Sequence, residues 1–269
     1  MKSKGGLVAG LSTLLACFGC SGNSPAHPAG SGGTAGGGGS GGVAGAQGDG
    51  RSFVPEDLSH MPRAGEVGVT LNLVAFTLLE GTTGPAFYAA VENDGDAPSC
   101  NAGMMTDFID KSGQTVASVG SPLLSKQFYQ LEANVILGCI DLGQIGMVAA
   151  TDLPAEVVPG DLGSLTYNFP TFGVGGITPI AAFAVSGVKA VAKVAGTAYA
   201  GALANGLDVM VTGPSVTISP VNRVGRPLGA ATASATTDIP PGGSWSFETS
   251  SVDDVGVDEV AYPSASISN

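Results

Sequence analysis

The feature that most constrains the fold is a segment that the chain uses twice. It runs from Tyr88 to Val116, and a fainter copy begins at Tyr199. Three of its residues recur at nearly constant spacing, 111 residues for the tyrosine and 112 for the other two: Tyr88 and Tyr199, Asn93 and Asn205, Gly113 and Gly225. A fixed period of this length is typical of one domain-sized unit duplicated in tandem.

The two copies differ in length at two places. The tyrosine and asparagine spacings differ by one residue, which predicts one inserted residue in the second copy of this strand. Downstream, the turn at 239–243 matches the turn at 140–144 at a spacing of 99 instead of 112. The first unit is therefore expected to carry thirteen extra residues, around 123–137.

Composition favours strands over helices. Only 12% of the 269 residues are charged, while 43 glycines and 17 prolines supply many turns. Long helices require more Leu, Glu, Lys and Arg than this, whereas short strands with many turns suit it. The predicted fold class is all-β. Length alone allows two modest domains or one large sandwich, and the repeat favours two tandem immunoglobulin-like β-sandwich modules, at 66–172 and 173–269.

Individual strands can be read from apolar alternation. Apolar side chains alternate up to Leu73, and the phase then switches to Val74, Phe76 and Leu78. A β-bulge, or a strand crossing between sheets, explains such a switch. Near the end of the second unit, Trp245 alternates with serines and is expected to be buried.

The first twenty residues have the three parts of an export signal. Lys2 and Lys4 precede an apolar run at 5–16, which is too short to span a bilayer. The sequence from Leu14 to Cys17 resembles the lipobox of bacterial lipoproteins. That resemblance implies cleavage before Cys17 and acylation of this cysteine, with Cys20 as the alternative. An ordinary cleaved signal with incidental cysteines is the competing interpretation.

Residues 21–65 are predicted to be a disordered, Gly-rich tether. The part at 21–50 has no apolar periodicity and too little apolar surface to offset the entropy of ordering. A flexible coil of that length has a root-mean-square span of about 30 Å and stretches to about 100 Å. The predicted role is to hold a globular head away from a membrane.

The net charge of the chain restricts the classes of molecule that it is expected to bind. The formal charge is −12, and removal of Lys2 and Lys4 with the leader leaves 8 basic and 22 acidic residues, a charge of −14. An acidic surface repels phosphate backbones, so nucleic acid is not an expected partner. The expected contacts are the membrane, through the lipid, and an unidentified envelope protein or polysaccharide.

Cys100 and Cys139 are the only cysteines after the leader. In an exported protein, their expected state is one disulfide. A redox-active pair is the alternative. It is disfavoured because the two cysteines are far apart in sequence and have no basic neighbour that would lower a thiol pKa.

Catalytic signatures are weak. The predicted folded part contains no G-x-S-x-G elbow, the sequence contains no H-E-x-x-H or P-loop motif, and His60 is the one histidine near the predicted folded part. No catalytic residue and no cofactor are assigned. The weak metal candidate is an acidic turn that could offer oxygen ligands to calcium, although a solvated turn is preferred: Glu92, Asn93, Asp94 and Asp96.

Three quoted motifs carry a family resemblance: Asn93 to Asp96, Phe108 to Gly113 and Pro241 to Gly243. Together they resemble the FxLYD-type and related immunoglobulin-like modules of bacterial envelope lipoproteins. The resemblance implies binding or spacing, with no catalytic residues to carry over.

The expected function is that of a non-enzymatic, lipid-anchored envelope component, on the outer membrane, acting as a binding or scaffold module. A calcium- or carbohydrate-dependent adhesion module is the first alternative. A hydrolase that uses two carboxylates in a cleft between the modules is the second.

Overall fold

A computed structural model describes residues 58–60, 71–81, 84–132, 135–170, 177–253 and 256–268. These residues are organised almost entirely as β-strands, with one short 3-10 turn at Pro159–Asp161, and the all-β prediction is confirmed. The predicted signal peptide with Cys17 and Cys20, and the predicted tether apart from 58–60, lie outside the described residues.

The first half of the described chain contains ten strands. They are β1 (Leu58–His60), β2 (Leu71–Gly81), β3 (Gly84–Asn93), β4 (Ser99–Cys100), β5 (Gly103–Asp110), β6 (Thr115–Leu124), β7 (Gln127–Glu132), β8 (Val135–Ile140), β9 (Ile145–Ala150) and β10 (Leu162–Asn168). The second half contains seven more. They are β11 (Thr178–Ile180), β12 (Phe183–Lys193), β13 (Gly196–Asn205), β14 (Met210–Val221), β15 (Ala231–Ser234), β16 (Ser244–Glu248) and β17 (Asp258–Ser268).

Seven strands form the first sandwich, in the order β1-β10-β5-β6-β9-β3-β2. The long strand β6 pairs with β5 and, at its end, with β9, so it joins two facing layers, β10-β5-β6 and β2-β3-β9. Side chains of both layers meet in one buried core that includes Phe76, Phe87, Phe108 and Leu165. The ring centroids of Phe87 and Phe108 lie 5.6 Å apart in a T-shaped contact across this core.

Strand β1 lies within the range predicted to be tether. Leu58 pairs with Leu165, and His60 with Tyr167, so that β1 runs parallel to β10. Without β1, strand β10 would present an unpaired edge on that side, and unpaired edges favour the addition of a strand. Residues 58–60 are therefore part of the sheet and not of a disordered tether.

The phase switch after Leu73 is a β-bulge. The pairing of β2 with β3 shifts register between Leu73 and Ala75, and Val74 is 47% exposed. One extra residue in β2 moves the following apolar residues onto the core face, which places Phe76 and Leu78 in the buried core.

The second sandwich repeats both layers of the first. The layer β12-β13-β16 corresponds to β2-β3-β9, and the layer β15-β14-β17 corresponds to β6-β5-β10. Strands β2 and β12 begin and end 112 residues apart, as do strands β3 and β13. The side chains between the two layers form a second core that includes Tyr199, Leu203, Val216 and Phe247.

The alignment of the two units at this offset corrects one residue equivalence that was predicted from the sequence. At an offset of 112, Tyr199 corresponds to Phe87, and both are core residues at the same distance before the buried asparagine. Tyr88 points to the other face of its strand and belongs to a different cluster. No inserted residue is needed, and the prediction that Tyr88 and Tyr199 are equivalent was wrong.

Asn93 ends β3 and ties three backbone segments together. Its Nδ2 donates to the carbonyl oxygens of Ala97 and Ile140, each at 2.8 Å, and its Oδ1 accepts from the backbone N–H of Gly95 at 3.0 Å. The side chain is fully buried, so these contacts replace hydrogen bonds that water would otherwise supply.

Asn205 makes the same contacts at the end of β13. Its Nδ2 donates to the carbonyl oxygens of Val209 and Ile239, at 2.9 and 3.0 Å, and its Oδ1 accepts from Leu207 N–H at 2.9 Å. The two local partners lie two and four residues after the asparagine in both sandwiches. The distant carbonyl lies 47 residues after Asn93 but 34 residues after Asn205, a difference equal to the thirteen extra residues of the first unit. The repeated asparagine is therefore a structural residue that fixes the exit of a core strand.

The repeated hairpin turns are also built alike. Oδ1 of Asp110 accepts from the N–H groups of Ser112 and Gln114, and Oδ1 of Asn222 accepts from those of residues 224 and 226. Gly113 and Gly225 have φ values of 86° and 76°, a left-handed conformation that favours glycine.

The extra residues of the first unit form an added hairpin. Strands β7 and β8 lie where the second unit has a short connection, and they belong to a separate sheet of order β11-β7-β8-β4. Cys100 of β4 is paired directly with Cys139 of β8, and the two form the predicted disulfide. Strand β11 follows residue 173, the predicted start of the second module, yet it pairs with β7.

Trp245 is half-buried, not buried as expected. It pairs with Leu203 and its ring centroid lies 5.7 Å from that of Phe247. Its strand β16 is at the edge of its sheet, so part of the indole faces solvent.

Replacing either buried asparagine by alanine is expected to lower the free energy of unfolding by about 3 kcal/mol, since it leaves buried backbone groups without partners. Urea unfolding of Asn93→Ala and Asn205→Ala measures this. Asn72→Ala is the control, because among the described residues the Asn72 amide donates only one hydrogen bond, to the exposed Asp94 carboxylate at 3.5 Å. A loss at Asn205→Ala no larger than at Asn72→Ala would contradict the structural role.

Removing the disulfide with Cys100→Ala and Cys139→Ala together is expected to cost about 4 kcal/mol, because the bond closes a loop of 39 residues. Urea unfolding of the double variant, compared with wild type with and without reductant, measures this. Equal stability of the reduced and oxidised wild type would contradict the expectation.

Candidate functional site

The first sandwich is covered on its outer face by the second. Tyr88 of β3 and Met147 of β9 pack against Tyr262 of β17 in a third buried cluster, together with Leu79 and Ala86. Each large side chain buried in such a contact contributes about 2 kcal/mol. Because the described residues of both sandwiches belong to one compact unit, this junction holds the two sandwiches together.

A cavity of about 420 Å³ opens beside this junction. Its walls come from both sandwiches and are mostly apolar: Ala90, Ile145, Met147, Val221, Gly225, Pro227, Val260 and Tyr262, with Lys126, Gln127 and Gln144 as the polar members. A concave, largely apolar space with a few polar groups is typical of a small-molecule site.

Lys126 is the one charged residue in this wall. Its Nζ lies 5.7 Å from the centroid of the Tyr262 ring, a cation–π contact. The residue as a whole is exposed, yet burial of part of its side chain lowers the pKa of the ammonium below its ordinary value. The ammonium is therefore partly dehydrated, which makes a nearby negative charge more favourable than it would be in water.

A second cavity, of about 280 Å³, shares two lining residues with the first. Lys126 and Gln127 line both cavities, and the 179–183 segment supplies most of the second wall. Phe128 and Phe183 make a T-shaped contact there, with ring centroids 4.9 Å apart. The added hairpin therefore touches the second sandwich through an aromatic pair and through Lys126.

Tyr262 forms the floor of the site. It is 4% exposed, and burial raises the pKa of its phenol to about 12. A phenol is neutral at physiological pH even with an ordinary pKa, so Lys126 carries the charge of this site.

Exposed apolar side chains border the opening. Ile145, in the cavity wall, is 47% exposed, and Val224, beside the wall residue Gly225, is 79% exposed. Isolated exposed valines are ordinary, but apolar residues beside a cavity extend the surface that a ligand can contact.

The residues of the predicted calcium turn do not form an open ligand set. The Asn93 amide is buried and bonded to backbone, Glu92 lies in a strand paired with Ile145, and Asp94 and Asp96 are exposed. Within the part of the chain that is described, no three His, Cys, Asp or Glu side chains are grouped to hold a metal ion. His60 lies in β1, where it pairs with Tyr167.

The cleft between the sandwiches also bears on the carboxylate hypothesis. Neither cavity wall contains an Asp or Glu among the described residues, so this cleft gives no support to a hydrolase built on two facing carboxylates.

None of the helical structure in the described ranges has the length and apolarity needed to cross a bilayer.

Sequence reasoning missed Lys126 and Tyr262, which lie in different halves of the chain. The sequence did contain one signal that points to Lys126. Lys126 is the single basic residue in the thirteen-residue insertion around 123–137. An insertion that carries a lone cation in an acidic protein is a reason to examine that residue.

Comparison with known proteins does not identify a family. No family model and no curated protein matches the sequence. Among solved structures, the chain is similar to red sea bream transglutaminase, with 11% sequence identity and a TM-score of 0.23. The match covers 75% of this chain and 29% of that chain. A similarity this low carries no argument about activity.

The raised pKa of Tyr262 gives a pH dependence of stability. The folded state keeps the phenol proton up to about pH 12, while the unfolded chain loses it near pH 10, so this contribution is present below pH 10 and is lost as pH rises towards 12. Between about pH 9 and 11.5, wild type should lose about 2 kcal/mol more than Tyr262→Phe.

Urea unfolding of both proteins at each pH measures this difference. Deprotonation of Lys126 in the same range affects both proteins, so the comparison removes its contribution. Parallel pH profiles for the two proteins would show that Tyr262 ionises normally.

Proposed function

We propose that this protein is a lipid-anchored component of the bacterial cell envelope, on the outer membrane. Its folded head is proposed to bind a ligand or partner at the cleft between its two sandwiches, without catalysing a reaction. The head resembles the immunoglobulin-like, FxLYD-type modules of envelope lipoproteins in three turn motifs of the sequence.

Two features support export. The leader combines Lys2 and Lys4 with an apolar run and Cys17 in a lipobox-like sequence. The buried disulfide between Cys100 and Cys139 is a bond that forms and persists in oxidising compartments. A Gly-rich stretch between leader and head would let the head extend from the membrane surface.

One observation carries the binding role. The junction of the two sandwiches holds a cavity of ligand size, and its wall contains a partly dehydrated ammonium, that of Lys126. Maintaining a dehydrated charge is unfavourable unless a partner compensates it. A scaffold that only spaced other proteins would gain nothing from such a residue in an apolar wall.

Expression of the full-length chain with its own leader in a bacterium tests the anchor. Wild-type protein is expected to carry a diacylglyceryl and an N-acyl group on Cys17 and to partition into detergent, because more than one acyl chain gives a stable anchor. Cys17→Ser should lose the acyl mass, and Cys20→Ser, the matched control, should keep it.

Mass spectrometry of the mature N-terminus and detergent partitioning measure the result. Loss of the acyl mass in Cys20→Ser alone would move the lipid to Cys20. Wild-type protein without acyl mass would remove the anchor from the proposal.

A further inference from the structure

The geometry points to a specific ligand chemistry for the cleft: a small organic monocarboxylate with an apolar tail, its carboxylate on Lys126 and its tail along the wall formed by Ile145 and Val260. This inference rests on the proposed binding role of the cleft and names its ligand class.

The charge of the site selects an anion. Among the described residues, the ammonium of Lys126 has no carboxylate partner, and it lies 5.7 Å from the centroid of the Tyr262 ring. The chain has 22 acidic residues against ten basic ones, yet none of the described acidic residues lines the cavity. In a protein this acidic, a cation without an anionic neighbour is a site where a ligand's negative charge is stabilised.

The number of charges selects a monoanion. One ammonium in the wall balances one carboxylate, whereas a phosphate carries close to two negative charges and is usually held by several cations or backbone N–H groups. The net charge of −12 opposes the approach of any multiply charged anion.

Polar and apolar positions in the wall fit the two ends of such a ligand. The side-chain amide of Gln144 has no partner among the described residues and lies in the same wall as Lys126, so it can donate to the second carboxylate oxygen. Ile145, which is 47% exposed, and Val260, which is half-buried, supply an apolar surface for a short chain. The Tyr262 face is already covered by Lys126, which disfavours a ligand that needs an open aromatic platform, such as a sugar ring.

The test uses three probes with the same tail: octanoate, octanamide and octylamine. Each is titrated into the mature chain carrying ¹³C-methyl methionine, and binding is followed at the methyl group of Met147. Met210, which is 38% exposed and does not line the cavity, is the internal reference. Octanoate is expected to shift the Met147 signal with a Kd of about 1 mM or tighter, and the other two probes to bind about tenfold more weakly or not at all.

Two variants test whether the positive charge of Lys126 is responsible for binding the carboxylate. Lys126→Gln should weaken octanoate binding about tenfold and leave octanamide binding unchanged. Lys189→Gln is the matched control, since Lys189 is exposed and lines neither cavity, and it should leave both unchanged. Melting temperatures of both variants show whether each is folded.

The outcomes separate the ligand class from the binding role. Equal binding of octanoate and octanamide, unaffected by Lys126→Gln, would overturn the carboxylate inference and leave the cleft as an apolar binding site. Preferential binding of octylamine would overturn it as well. If no probe shifts Met147, the carboxylate inference fails, and so does the proposal that the cleft binds small ligands, while the lipid anchor keeps its own test.

Discussion

The structure depends on one sheet that is buried on both faces. Residues 86–91 of β3 are buried without interruption, whereas β13, its counterpart in the second sandwich, alternates buried and half-buried positions along part of its length. One face of β3 fills the first core, and the other meets Tyr262 of the second sandwich. A strand covered on both sides loses the polar alternation of a solvated sheet, and Ala-Phe-Tyr-Ala-Ala-Val is such a run.

The two copies of the unit have kept what fixes the backbone and changed what faces outward. The buried asparagine and the side-chain cap of the hairpin turn have the same bonding pattern in both copies. The cap is a carboxylate in one copy and an amide in the other, because the turn needs a hydrogen-bond acceptor and not a charge. Residues on the outer faces of the strands can differ between the two copies, because they do not pack in the core. Tyr88 is one of these residues, and it packs in the junction between the sandwiches.

The candidate site is a product of that junction and of the added hairpin. Lys126 lies at the start of the hairpin in the first sandwich, and Tyr262 lies in the last strand of the second. Neither sandwich by itself encloses the cavity, since its wall draws on β3 and β9 from one and on β14 and β17 from the other. The disulfide joins the hairpin strand β8 to β4, which holds the hairpin that carries Lys126 against the first sandwich.

The sequence by itself determined the features that depend on local chemistry. Alternation and turn residues indicated the strands, the phase switch at Val74 indicated a bulge or a crossing between sheets, and Cys100 and Cys139 indicated the disulfide. The equivalence of Phe87 with Tyr199, the half-burial of Trp245 and the meeting of Lys126 with Tyr262 were decided only by the tertiary structure. The contact between the outer faces of the two sandwiches depends on packing between residues more than a hundred positions apart. Such packing leaves no periodic pattern in either segment. Local sequence therefore determined the two sandwiches, and long-range packing alone determined the cleft between them.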